Sequence, residues 1–97
     1  MSKSIISNEK QCYLCQTPYN LERHHIYFGT ANRQISESQG CWIWLCNRHH
    51  TGKVKYDEGI HFNPDLDLRI KRECQEVWER EKGNRQEFRK LFGKSWL

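Results

Sequence analysis

Cys41-Trp42-Ile43-Trp44-Leu45-Cys46-Asn47-Arg48-His49-His50 is the stretch that decides the fold. Its first five residues are aromatic, β-branched or apolar, and they predict a strand over 41–45. Successive strand side chains alternate, so Trp42 and Trp44 share one face and Cys41, Ile43 and Leu45 the other. The two tryptophans read as packing residues. Asn47 to Thr51 suits a short helical turn that Gly52 stops. Within it, Cys46 and His49 are separated by two residues, which is half of a metal knuckle. The other half lies upstream, in Cys12-Tyr13-Leu14-Cys15. A two-residue spacer lets both side chains of a knuckle turn to one point, and three thiolates with one imidazole suit tetrahedral Zn²⁺. Cys12, Cys15, Cys46 and His49 are therefore the expected ligands of a structural zinc. Cys41 and Cys74 fall outside the spacing and read as small buried apolar residues.

A chain of this kind needs such a staple. It has 97 residues, of which 36% are hydrophobic and 29% charged. The mean hydropathy is −0.98. That is one domain with a lean core, whose burial barely offsets the entropy of ordering it. Five cysteines, an odd number, behind an N-terminus with no signal-like apolar run argue against a disulfide framework and for a reducing, cytoplasmic setting. No apolar run approaches the roughly 20 residues of a membrane helix. The net charge of +4 suits a polyanionic partner without requiring one.

Working outward, Glu22 to Phe28 reads as a second strand and 29–40, with its Gly, Asn and Ser, as a loop. The two strands form a hairpin with a long connection. Downstream, Asn63 and Pro64 suit the cap and first turn of a helix running from Asp65 to Lys82. Leu66, Ile70, Cys74 and Val77 lie near one stripe, and Gly83 follows the helix end. Asn84-Arg85-Gln86-Glu87 has the form of a capping box for a short helix to Phe92, with Phe88, Leu91 and Phe92 as its apolar face. The acidic and basic residues of the long helix read as an ion-paired exposed face, and Trp78 and Trp96 as docking residues. The expected organisation is a single α+β domain: a flexible leader over 1–11, a zinc-stapled core over 12–63 and a helical tail over 64–97.

Two His-His pairs remain. Neighbours on a strand point to opposite faces, so only one of His24 and His25 can join a given metal site. His49 belongs to the zinc set, which leaves His50 for another site, and His61 follows nearby. Together, Cys12-x2-Cys15, Glu22-Arg23-His24-His25-Ile26 and Trp44-Leu45-Cys46-x2-His49-His50 resemble an HNH endonuclease of the ββα-metal, or His-Me finger, superfamily. The stretch from Gly59 to Asn63, the charged helix and Phe92-Gly93-Lys94 are similar to small phage HNH proteins of the recombination-enhancing type. The likeness covers about residues 12–63, with a looser match in the tail.

The resemblance implies a ββα-metal finger and hydrolysis of DNA phosphodiesters, with nicking or double-strand cutting, in phage DNA processing or recombination inside a bacterial host. It puts His24 at the metal-binding Asp position of the family and His25 at the position of the general base. His50 takes the role of the final metal-binding His, and His61 is a candidate third ligand. The motif Asn has no counterpart in register, where Cys41 stands; Asn32 is a candidate substitute for orienting His25. The catalytic divalent ion would be Mn²⁺, Mg²⁺, Ni²⁺, Co²⁺ or Zn²⁺. Imidazole in place of carboxylate disfavours Mg²⁺ unless Asp57, Glu58 or Asp65 joins the site. Arg23, Arg33, Arg48, Lys53 and Lys55 surround the site in sequence and are candidate phosphate contacts. Other readings are a non-catalytic zinc module that binds DNA, or one that docks a recombination or packaging protein.

Overall fold

The computed structural model describes residues 3–29, 31–54 and 57–97, with backbone alone at 53–54 and 57–58. Strand β1 (Leu21–His25) pairs antiparallel with β2 (Trp42–Cys46), setting Arg23 opposite Trp44 and His25 opposite Trp42. Ile43 and Leu45 are fully buried, as the alternation requires. Trp42 and Trp44 meet edge to face, 5.6 Å between ring centroids. A two-stranded sheet is marginal by itself, and this one is backed by helices.

The connection between the strands differs from the expected loop. β1 ends at His25 rather than Phe28, and helix α1 (Asn32–Gln39) fills much of 29–40. The helix has little apolar periodicity because polar bonds dock it. Ser36, fully buried, donates from Oγ to the Tyr27 carbonyl at 2.8 Å and accepts from the Tyr27 N–H at 3.1 Å. Gly40 ends α1 with φ 75°, in the left-handed region where a Cβ is strained. A Cβ there would also run into the Lys3 carbonyl. The supposed leader is tied down at that point. Ile5 N–H donates to the Gly40 carbonyl at 2.9 Å, and buried Ser4 donates to the Trp42 carbonyl at 2.7 Å.

Helix α2 (Asn47–Thr51) follows β2 directly. A hairpin of β3 (Lys53–Val54) and β4 (Asp57–Glu58), absent from the sequence reading, leads to a 3₁₀ turn over Ile60–Phe62. Helix α3 (Pro64–Glu81) begins with the Asn63 side chain accepting from Leu66 N–H at 3.1 Å. Its buried face is Ile70, Cys74, Gln75 and Trp78, so Trp78 takes the place expected for the half-buried Val77. Helix α4 (Arg85–Phe92) carries the full capping box and buries Phe88 and Phe92, while Leu91 is exposed. Tyr27 packs on Phe88, Phe92 and Trp96, with centroids 4.5–5.3 Å away. Trp78 donates from Nε1 to Gln39, joining α3 to the end of α1. Cys41 and Cys74 are completely buried, and none of the five cysteines is in a disulfide. Pairs Lys71–Asp67, Arg69–Glu73 and Arg85–Glu79 line the helical surface. Among the described residues, no helix is long and apolar enough to cross a membrane.

Candidate metal centres and their cleft

The two knuckles meet. The ligand atoms of Cys12, Cys15, Cys46 and His49 all lie within 4.8 Å of one another, a set that can hold a metal ion. Cys15 Sγ is 3.8 Å from Cys46 Sγ, and His49 Nδ1 is 3.6 Å from Cys12 Sγ and 3.2 Å from Cys46 Sγ. A tetrahedron with zinc's bond lengths has S···S edges of about 3.8 Å and S···N edges of about 3.6 Å. The donor set is thus compatible with zinc. Burial pushes the Cys12 thiol up, but the backbone amides of Cys46, Cys15 and Leu14 outweigh it, and its pKa falls to about 6. Amides directed at sulfur favour thiolate, the ligand form. Gln16, just past the first knuckle, is held at φ 63° with its N–H on the Cys12 carbonyl.

On the other side of α2 a second cluster forms. The ring nitrogens of His24, His50 and His61 also lie within 4.8 Å of one another. Each comes from a different element: β1, α2 and the 3₁₀ turn. Gly59 lets the turn approach α2; a Cβ on it would sit 2.7 Å from the His50 carbonyl. His50 Nε2 and His61 Nε2 are 3.1 Å apart. Two imidazoles on one ion, bonded at about 2.0–2.1 Å, are separated by about 2.9–3.4 Å for angles between square and tetrahedral. A hydrogen bond between the two rings would account for that distance too, but not for His24. The residue is 1% exposed, and its Nε2 is buried with no hydrogen-bond partner among the described residues. Burial, then the neighbouring His50 and His61, lowers its pKa to about 3, so it is a neutral ligand-type imidazole. His61 is lowered as well, by burial first and then by His50. His50 Nδ1 lies 2.7 Å from Glu22 Oε1. A carboxylate only accepts, so Nδ1 carries a proton, and the neutral form of this ring presents its Nε2 lone pair to the cluster. Asn47 Nδ2 steadies the other Glu22 oxygen at 3.2 Å.

His25, next to His24, stands apart from the metal cluster yet borders the same cleft. That cleft is a 220 Å³ hollow lined by Arg23, His24, His25, Phe28, Arg33, His50 and His61. The His25 ring is held by Glu37 of α1, at 2.9 Å from Nε2 to Oε1. Arg23 Nη1 is 3.1 Å from both Glu37 oxygens, and its guanidinium carbon is 3.6 Å from the centre of the Trp42 ring. Asn32 does not orient His25; its side chain donates toward the Phe92 carbonyl at 3.4 Å, at the end of α4.

The basic residues divide. Arg23 and Arg33 border the cleft, although Arg23 is engaged by Glu37 and Trp42. Arg48 lines a separate depression beside Cys15 and Cys46, with Nη2 3.4 Å from His49 Nε2. Lys55 and the side chains of Lys53, Asp57 and Glu58 lie outside the described residues. Asp65 is exposed in the first turn of α3. Sequence reasoning missed Glu22 and Glu37. Period-two alternation puts Glu22 on the His24 face, a readable signal. Glu37 had none, because α1 itself was unread. Comparisons with protein-family models, curated proteins and solved structures find no match.

Proposed function

We propose that this chain is a metal-dependent endonuclease or nickase of the HNH type, acting on DNA, with zinc held by Cys12, Cys15, Cys46 and His49 as its structural staple. The observation that carries the reading is the convergence of His24, His50 and His61, one of them with an orphaned buried nitrogen, beside a fourth imidazole held by a carboxylate. An antiparallel strand pair followed at once by a short helix, β1-β2-α2, is the arrangement a ββα-metal finger needs.

A divalent ion held by His24, His50 and His61 would supply Lewis-acid stabilisation of the phosphate and the leaving oxygen. The protein's own part is proton transfer and positioning. With the Nε2–H of His25 directed at Glu37, its Nδ1 lone pair takes a proton from water as the water oxygen bonds to phosphorus. The P–O3′ bond breaks, the departing oxygen takes a proton from solvent, and the products carry a 5′-phosphate and a 3′-hydroxyl. Arg33 at the cleft edge offers a phosphate contact that reads no base.

The test is cleavage of supercoiled plasmid and single-stranded DNA in a series of Mn²⁺, Co²⁺, Ni²⁺, Zn²⁺ and Mg²⁺. Metal-dependent cutting that His25→Ala abolishes is expected. DNA binding without cutting, unchanged in His25→Ala, would replace the hydrolase with a zinc-stapled binding module.

A further inference from the structure

A base at the end of a strand needs a partner that fixes its ring, and neither the family Asn nor Asn32 provides one here. We propose that Glu37 is the positioning residue of His25, and that Arg23, braced on Trp42, positions Glu37 in turn. The inference rests on the hydrolytic reading and adds to it a carboxylate–imidazole pair built from α1.

Three observations carry it. The Glu37 Oε1 to His25 Nε2 distance of 2.9 Å is that of a good hydrogen bond. A carboxylate accepts only, so this contact selects the Nε2–H tautomer and leaves the lone pair on Nδ1. The carboxylate is itself held, since Arg23 reaches both its oxygens at 3.1 Å while its guanidinium lies over Trp42 at 3.6 Å. Arg23 is thereby assigned to bracing the pair rather than to a phosphate. The chain His25–Glu37–Arg23–Trp42 joins residues of β1, α1 and β2, so the ring is fixed by elements that the core already locks.

The experiment uses the full chain labelled with ¹⁵N-histidine and observes the ring nitrogens by NMR, alongside plasmid cleavage in Mn²⁺. In the wild type, His25 is expected as Nε2–H with a proton slow to exchange. In Glu37→Ala that proton exchanges freely and the ring signals move toward those of a mobile imidazole. kcat falls about 10- to 100-fold, the scale of a displaced catalytic group, while KM changes less than about 2-fold. Glu37→Gln, which keeps an acceptor oxygen, recovers most of the loss. Removing Glu37 alone also alters the surroundings of Arg23, so Arg23→Leu/Glu37→Leu serves as the fold control and should show the same loss. Co²⁺ binding at the three-histidine site should be unchanged in every variant. An Nδ1–H tautomer in the wild type, or ring signals indifferent to Glu37→Ala, overturns the inference. So does undiminished kcat in Glu37→Ala while His25→Ala is dead, and in that case the hydrolytic reading stands. A His25→Ala protein that cuts like the wild type removes that reading and this inference with it.

Discussion

Glu22 is where a single side chain has the clearest consequence. Its contact with His50 Nδ1 at 2.7 Å would be the outer link of a carboxylate–imidazole–metal arrangement in the proposed site. Such partners fix the ring and raise its basicity, and losing one typically costs 10- to 100-fold in metal affinity. Glu22→Ala is therefore expected to weaken Co²⁺ binding at the three-histidine site by about that factor, read from a visible-absorption titration, with the Cys12–Cys15–Cys46–His49 site undisturbed. An unchanged affinity would mean that the ring is held by packing alone. The same ligand set predicts the order of metals: three imidazole ligands favour Mn²⁺, Co²⁺ or Ni²⁺ over the hard Mg²⁺. Cleavage rates should follow, and full activity in Mg²⁺ with none in Mn²⁺ or Ni²⁺ would count against this ligand set. The zinc-type ligands could be read from the sequence because ligand type and spacing are themselves the physical requirement. The identity of the His25 partner could not, because it depends on where a whole helix lies.

Helix α1 shows why. Sequence periodicity reports a helix when an apolar stripe packs it, and α1 instead docks through Ser36, which exchanges two hydrogen bonds with the Tyr27 backbone. Ser36→Ala removes both partners at once inside the core. Each buried group left unpaired costs about 1–3 kcal/mol, so for the two Tyr27 groups a loss of about 2–6 kcal/mol is expected in urea unfolding. A loss below about 1 kcal/mol would show that α1 is held elsewhere. By contrast, α3 and α4 were legible nearly to the residue, since Asn63-Pro64 and the Asn84–Glu87 box act through local bonds that the sequence spells out. The turn after β4 lies between these cases. Gly59 has a readable identity, but its purpose is the close pass against His50. Gly59→Ala must push the 3₁₀ turn away from α2, separating His61 from His50. Reduced Co²⁺ affinity with little change in thermal unfolding is the expected signature.

At the scale of the molecule, two sites share one short helix. His49 and His50 are neighbours on α2, one turned to the sulfur cluster and the other to the imidazole cluster. The first site joins residues 31 to 37 positions apart in sequence and clamps the end of the strand pair where Leu21 faces Cys46. A domain of this size is stabilised by only about 5–15 kcal/mol, whereas zinc on such a knuckle contributes about 10–16 kcal/mol of binding that is also folding energy. The second site is assembled from elements that the first and the core already hold. Metal removal should therefore proceed in two stages. Mild chelation with EDTA is expected to strip the imidazole site and abolish cleavage while circular dichroism stays native, and added Mn²⁺ should restore the activity. Prolonged treatment with a stronger zinc chelator, or Cys46→Ser, should release the remaining ion and unfold the chain cooperatively, so that Mn²⁺ alone no longer rescues it. The ordering is what matters, because it separates a cofactor from a staple. If the fold and the activity disappeared together at the first stage, the imidazole cluster would be part of the framework rather than a centre built upon it.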